Sequence, residues 1–362
     1  MAGLASLSGR SRLLLGAVVV LASAVALSAC GGDDDDDGGG EREEVSVGVT
    51  TIGPRNDKAF SQAHVEGAEL AAEETPGVEV TAVLDNREAP QDRIDALETL
   101  AESNDLVIGG SASFAPSADT VAPQFPETWF VVNGGGLTAS LLDNVTAFVL
   151  EQGLPAYVAG VVAADLSKSG VVGYVGGAEI PPTEQAGAGF AEGAEEQDPD
   201  VEVQQNIVGN FNDAAKAKEA ATAMIDDGAD YLYAFLDAGI TGAYQAAEES
   251  GEDVGVFNIN VLECESYDNI VGTGTQNNQL VISRAIEQFK DGALEPGAVF
   301  LGLQDPEIQT LELCPEYADD EQVAKLTEET IQRLNDGDIT PSNDVITPPP
   351  DYEFSEGFGG GE

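Results

Sequence analysis

Short apolar runs alternate with longer amphipathic stretches along most of this chain. VSVGVTTI at 45–52 reads as a strand, and 58–74 as a helix with one apolar face. VEVTAVL at 78–84, DLVIGG at 105–110, TWFVVNGGG at 128–136 and NVTAFVL at 144–150 read as further strands, with a helix at 93–102. A helix rich in alanine and valine follows at 153–166. The pattern then restarts, with strands at 171–177, 201–208, 229–236, 254–260 and 269–275 and helices at 182–196, 214–227 and 241–250. A helix at 279–290, strands at 298–303 and 308–313 and a helix at 319–335 complete it. Apolar strands joined by helices predict an α/β fold of parallel sheets covered on both faces. Two such series, in a body running from about residue 45 to about residue 343, predict two similar lobes.

In open parallel sheets, ligands bind beyond the carboxyl ends of the strands. Polar residues and glycines gather at those ends: Asn56-Asp57, Ser111 through Phe114, Asn133-Gly134-Gly135-Gly136, Gly176-Gly177, Asp237-Ala238-Gly239 and Asn260. Sharp turning of the backbone alone accounts for the glycines.

The first residues follow a different pattern. Arg10 and Arg12 precede an apolar stretch at 13–27, too short for the roughly 20 residues that span a bilayer. Small residues then lead to Cys30 and Gly31-Gly32. A positive start, a short apolar core and small residues before a cut describe a secretory signal peptide, here 1–29. Leu27-Ser28-Ala29-Cys30 resembles a lipobox, whose cysteine is lipidated and becomes the new N-terminus; an ordinary secreted protein with a chance cysteine is the other reading. The diacylglyceryl group that a lipobox implies would hold the chain durably at the membrane. Residues 30–44 hold five aspartates (Asp33 to Asp37), glycines and Glu41-Arg42-Glu43-Glu44, with no apolar side chain to pack, and read as a solvated, self-repelling leash. The aspartate run lacks the spacing of a calcium loop. The tail 343–362 reads as disordered.

Lysine and arginine total 14 against 66 acidic residues, a net charge of −52. Nucleic acid and anionic lipid head groups are poor partners for such a surface. The acids are spread over nearly every predicted helix. That distribution fits solubility in strong salt, where repulsion is screened over about 3 Å at 1 M, and so a halophilic source; an acidic protein of an ordinary habitat remains the alternative. Two cysteines remain beside Cys30. Cys264 and Cys314, in an extracellular domain, are either one disulfide or two buried thiols.

Several chemistries lack their residues. His64 is the one histidine, no C-x-x-C pair exists, and a His-based metal cage cannot be built. There is no G-x-S-x-G elbow and no G-K-[ST] phosphate loop. GAGFAEG at 187–193 lies inside a predicted helix and reads as helix packing. With so many acids, carboxylate spacing says nothing about acid–base catalysis. A binding protein without a cofactor or metal is expected rather than an enzyme.

Longer motifs carry a resemblance. GPRNDKAFSQAHVEGAELA (53–71), VVGYVGGAEIPPTEQAGAGFAEGAEEQDPDVEV (171–203) and VGNFNDAAKAKEAATAMIDDGADYLY (208–233) resemble segments of the basic membrane protein family of substrate-binding lipoproteins, which serve ABC importers and include purine-nucleoside binders. The resemblance covers about 45–340. It implies a type I periplasmic-binding-protein fold, two Rossmann-like lobes joined by crossings near Glu151, near Asn260 and at 303–313. Lobe 1 would comprise 45–150 and about 261–303, lobe 2 151–260 and about 314–342. It also implies that lobe closure buries a small ligand and presents a surface to a membrane permease, with the protein working as a monomer on the outer face of the membrane.

In nucleoside-binding relatives two aromatics sandwich the base, and Phe60 and Phe211 match those positions; two core residues would look the same. Asn56 and Asp57 match polar ligand contacts. Phe114 falls in the wall of the first lobe and Asp237 in the glycine-rich turn of the second; Asn133, at its strand end, is a further candidate ligand contact. The chain departs from the family at two places. Asn260 stands near the position of an acidic residue that holds the ribose, and Gln276 near that of a lysine. Amides both donate and accept, so they can still read a hydroxyl or carbonyl, at about half the strength of charged partners. The same cleft would serve a sensor subunit reporting to a membrane receptor.

Overall fold

Alternate residues of the first strands face opposite cores, and helices cover both. The structure is a computed structural model and describes residues 42–57, 60–134, 142–260, 262–342 and 345. The expected signal peptide, Cys30, the aspartate leash as far as residue 41 and all of the expected disordered tail except residue 345 lie outside the described residues.

In chain order the elements begin with β1 (Val45–Thr51), α1 (Phe60–Glu74), β2 (Val78–Leu84), α2 (Pro90–Ala101), β3 (Leu106–Gly110), α3 (Ala115–Val121), β4 (Trp129–Asn133), β5 (Val145–Leu150) and α4 (Gly153–Leu166). They continue with β6 (Val171–Gly176), α5 (Pro181–Gln197), β7 (Glu202–Ile207), α6 (Ala214–Asp226), β8 (Tyr231–Phe235), α7 (Ile240–Ser250), β9 (Gly255–Asn260) and β10 (Ile270–Thr275). Last come α8 (Asn278–Lys290), β11 (Gly297–Leu301), β12 (Leu311–Leu313), α9 (Pro315–Ala318) and α10 (Glu321–Asn335). Helix α3 was not legible from the periodicity: it holds Pro116, and Pro123 follows two residues after its end. Pro116 sits in the first helical turn, where its missing N–H costs nothing.

Among the described residues the strands form two six-stranded sheets, β11-β5-β4-β3-β1-β2 and β12-β10-β9-β8-β6-β7. Every neighbouring pair is parallel except β10 and β12. In the first sheet Val47, Val49, Ile108 and Val131 pack under α1 and α8, whereas Val107, Phe130 and Val132 pack under α2 and α3. In the second, Val172, Tyr174 and Tyr233 face α4 and α5, and Val175, Leu232 and Ala234 face α6 and α7. Burial on both faces explains why the strands read as unbroken apolar runs.

One strand differs from expectation. Ile270–Thr275, expected in the first lobe, pairs with β9 in the second sheet, with Thr275 opposite Asn260. The resemblance implied a crossing near Asn260, but no helix separates β9 from β10 and the chain stays in its sheet there. The chain passes between sheets at Glu151–Gln152, at Gln276–Asn277 and between Leu301 and Leu311. The first and third passages leave the carboxyl ends of β5 and β11, and the second leaves that of β10. The strand β12 enters beside the same end of β10, with Leu311 opposite Gly274. The carboxyl ends of both sheets therefore face each other across the hinge.

Two details fix the second lobe. Helices α4 and α5 touch backbone to backbone: a Cβ on Gly160 would stand 2.1 Å from the Phe190 carbonyl oxygen, one on Gly189 2.1 Å from that of Gly153, and one on Gly193 2.0 Å from that of Tyr157. GAGFAEG is thus a helix-packing surface, as its place in a helix predicted. Cys264 and Cys314 form a disulfide, with Cα atoms 5.6 Å apart and a sequence separation of 50. It ties the β9–β10 connection to the end of β12.

Gly193→Ala should cost about 1–3 kcal/mol, because the added methyl has no room between the helices. Replacing Cys264 and Cys314 together by alanine should cost about 2–4 kcal/mol through a less constrained unfolded chain. Urea unfolding midpoints of the two variants check both values; an unchanged midpoint for Gly193→Ala would show that α4 and α5 separate freely.

Candidate ligand-binding cleft

The cleft begins where β1 ends and the chain turns through Gly53 to Asp57. Arg55 pins this turn to the end of β2. Its guanidinium donates to the Val83 carbonyl at 2.6 Å and lies 3.5 Å from the Asp85 carboxylate, which also accepts the Arg55 N–H at 3.1 Å. That N–H and, behind it, the guanidinium charge hold the Asp85 carboxyl below its ordinary range. Asn86 adopts a left-handed conformation, φ 61°, and its N–H reaches the Gly53 carbonyl at 3.1 Å. Asparagine tolerates this region better than other residues with a Cβ.

Asn56 and Asp57 are exposed on the turn. The Asp57 carboxylate accepts the N–H groups of Ser61 at 3.0 Å and Gln62 at 3.1 Å. It caps α1, satisfying donors that the first helical turn leaves free and placing negative charge at the positive end of the helix.

Phe60 opens α1 half-buried, its ring edge-on to His64 with centroids 4.6 Å apart. His64 is fully buried, and its Nδ1 lies 2.7 Å from the Phe60 carbonyl oxygen. A carbonyl only accepts, so Nδ1 carries the proton and Nε2 is an acceptor. Nε2 meets the Asn133 amide nitrogen at 2.8 Å, and that nitrogen also donates to Asn278 Oδ1 at 2.8 Å. Burial pulls the His64 pKa down to about 4, against the opposing effects of the Phe60 carbonyl and the Asp57 charge. Gly110 makes the room: a Cβ there would stand 2.8 Å from the imidazole.

Asn133 and Phe114 are turned into the core, and Gln276 sits at the hinge. Asn133 is fully buried inside the histidine network and presents nothing to the cleft. Phe114 is also fully buried, packed on the backbone of Gly109 in the core beneath α2 and α3. A short 3-10 turn at Ala112–Phe114, capped by Ser111 accepting from the Ser113 N–H, folds the ring inward. Gln276 lies in the second crossing, where its Oε1 accepts from Gln152 Nε2 at 3.1 Å, joining two crossings.

On the second lobe Phe211 follows β7. Its half-buried ring lies on Gly177, where a Cβ would come within 2.1 Å of it, and meets Phe235 edge-on at 6.4 Å. The Phe211 carbonyl accepts the N–H groups of Asp237 at 3.1 Å and Gly239 at 3.0 Å, so the glycine-rich turn fixes the aromatic residue. Asp213 caps α6 through the Lys216 N–H. Asn260 closes β9 at the same end of the sheet. The structure thus sets Phe60, Asn56 and Asp57 on one facing edge and Phe211, Asp237 and Asn260 on the other. A cavity of about 460 Å³ lined by Tyr157, Glu192, Arg333 and Thr340 shares no residue with either edge.

Arg55, Asp85, His64 and Asn278 are not among the residues that the sequence marks for the cleft. Only His64 left a signal, as a histidine four residues after an aromatic on a helix that begins at the cleft.

Comparison with known proteins gives the family and the fold. The sequence profile described as ABC transporter substrate-binding protein PnrA-like matches residues 44–344. A purine-binding protein of Brucella abortus is 27% identical over 300 residues, covering 83% of this chain and 83% of its own length. An ABC transporter nucleoside-binding protein, BmpA of Lactococcus lactis, is 27% identical over 203 residues, covering 55% of this chain and 57% of its own. A solute-binding protein of an ABC transporter system from Aeropyrum pernix shares the fold, with a TM-score of 0.68 at 23% identity, covering 82% of this chain and 92% of that one.

The buried histidine has a stability signature. Its folded pKa, about 4, lies below the unfolded value near 6.5. Its contribution is therefore fully present above pH 6.5 and is lost as pH falls toward 4, by on the order of 3 kcal/mol. Carboxylates add their own slope, so the comparison is between wild type and His64→Gln. The variant should be less stable at pH 7, and the gap should narrow between pH 6.5 and 4; urea titrations at several pH values give the gap, and a constant gap would rule out a buried neutral imidazole.

Proposed function

We propose a ligand class and a mode of capture for this chain, which belongs to the Bmp family of PnrA-like ABC transporter substrate-binding proteins. It captures a small, uncharged, ring-containing solute between Phe60 and Phe211, with a purine nucleoside or free base as the first candidate. The observation that carries this reading is one half-buried aromatic residue on each of the two facing sheet edges, each fixed by its own lobe. A flat base offers an apolar face to each ring. The purine and nucleoside binding named for two relatives supports the same class.

Asn56, Asp237 and Asn260 supply the polar contacts. With an amide at Asn260, the ribose is held by neutral hydrogen bonds in place of a charge-assisted one. A chain of net charge −52 also disfavours anionic solutes. The lobes close about Glu151–Gln152, Gln276–Asn277 and the segment 302–310, and contacts made only in the closed state drive the motion. The closed form delivers its solute to an ABC permease, while lipid on Cys30 and the acidic leash keep the monomeric domain at the outer face of the membrane.

Calorimetry with nucleosides, free bases and common sugars tests the ligand class. Phe211→Ala should lose about 1–3 kcal/mol of affinity for the preferred base-containing solute. Asn260→Asp should strengthen nucleoside over free-base binding. Tight binding of a sugar with Phe211→Ala harmless would overturn the stacking site. For the anchor, Cys30→Ala should move the protein from the membrane pellet to the soluble fraction with its thermal midpoint unchanged; a variant still in the pellet would count against lipidation.

A further inference from the structure

We infer that His64 is a positioning residue for ligand capture, which sets the cleft aromatic Phe60 and ties it to the hinge through Asn133 and Asn278. The inference rests on the reading of Phe60 as one wall of the ligand site.

The chain of contacts is continuous. The His64 ring stands edge-on to Phe60 at 4.6 Å, and its Nδ1–H is bonded to the Phe60 main-chain carbonyl at 2.7 Å. The aromatic is held both at its ring and at its backbone. The imidazole Nε2 accepts from Asn133, whose second N–H goes to Asn278, the first residue of α8. Asn277, immediately before it, donates its N–H to the Ile308 carbonyl at 2.7 Å and its side-chain amide to the Glu307 carbonyl at 3.1 Å, joining the second crossing to the third. Gln276 joins the second crossing to the first through Gln152.

Donor and acceptor assignments allow one arrangement. The Phe60 carbonyl forces the Nδ1–H tautomer, that tautomer requires Asn133 to present its nitrogen to Nε2, and the same nitrogen serves Asn278. Each link fixes the next, so a shift of α8 at the second crossing reaches the Phe60 carbonyl without passing through water. A ligand ring that presses on Phe60 acts on this chain from the other end. Buried amide and imidazole groups bonded this way have few alternative arrangements, which suits a residue that must hold an aromatic wall at one angle while the lobes move.

The test uses the full-length chain. In ligand-free protein, His64→Phe keeps the ring and removes both hydrogen bonds. Amide exchange at Asn277 and Leu280 should rise at least tenfold, with exchange in β8 of the second lobe unchanged. Unchanged exchange at Asn277, or an equal rise throughout the protein, overturns the coupling. Because His64 is the only histidine, its imidazole nitrogen resonances are unambiguous. Asn278→Ala, which leaves the histidine in place, should shift the Nε2 resonance, and an unmoved resonance overturns the link even if His64→Phe fails to fold.

With adenosine as the probe, Asn278→Ala should weaken binding about tenfold in wild type and far less in a Phe60→Ala background. Equal losses in both backgrounds overturn the positioning role. If wild type binds neither adenosine nor any other purine, the ligand reading fails, and the exchange and resonance measurements still decide the coupling.

Discussion

Among the described residues the chain leaves one sheet for the other only at the carboxyl ends of strands, and the rest of the molecule depends on that constraint. Passages at Glu151–Gln152, Gln276–Asn277 and between Leu301 and Leu311 turn the same end of each sheet toward the other. The loops that follow strands then meet across one cleft, and the aromatic residues Phe60 and Phe211 stand on its opposite sides. Helices bury both faces of each sheet, so the strand ends are where polar chemistry reaches a ligand without breaking a core.

Each side of the cleft is built by backbone rather than by a crowd of side chains. Asp57 caps the helix that Phe60 opens, and Asp213 the helix that follows Phe211. Gly177 lets the Phe211 ring lie on bare main chain, and Gly110 leaves space for the imidazole beside Phe60. On the proposed mode of capture, closure is a movement of two preformed surfaces, and its energy comes from the solute between them and not from reorganising either wall.

The hinge is polar where the cores are apolar. Gln152 meets Gln276, the Asn277 side chain reaches the Glu307 carbonyl, and the Asn335 side chain reaches the Leu303 carbonyl. Such directional bonds allow a limited set of rotations while keeping the crossings in register. The disulfide between Cys264 and Cys314 lies close to this region in sequence and holds the β9–β10 connection against the end of β12. It stabilises the part of the second lobe that lacks a crossover helix.

Much of this was written in the order of residues. Val47, Val49, Ile108 and Val131 alternate as buried strand residues must, GAGFAEG sits in a helix as a packing surface, and the motifs around Phe60 and Phe211 named the family. These features are local, or repeat with the period of a helix or strand, so a one-dimensional reading recovers them. The sheet that takes Ile270–Thr275, the inward turn of Phe114, and the burial of Asn133 against His64 and Asn278 were decided only in three dimensions. For Asn133 the partners are 69 and 145 residues away; for Phe114 and Ile270–Thr275 they are nearer, but an amide, a ring or a strand looks alike in sequence whichever face or sheet receives it. Only the packed structure chooses among them, because only there do hydrogen-bond geometry and available volume exclude the other arrangements.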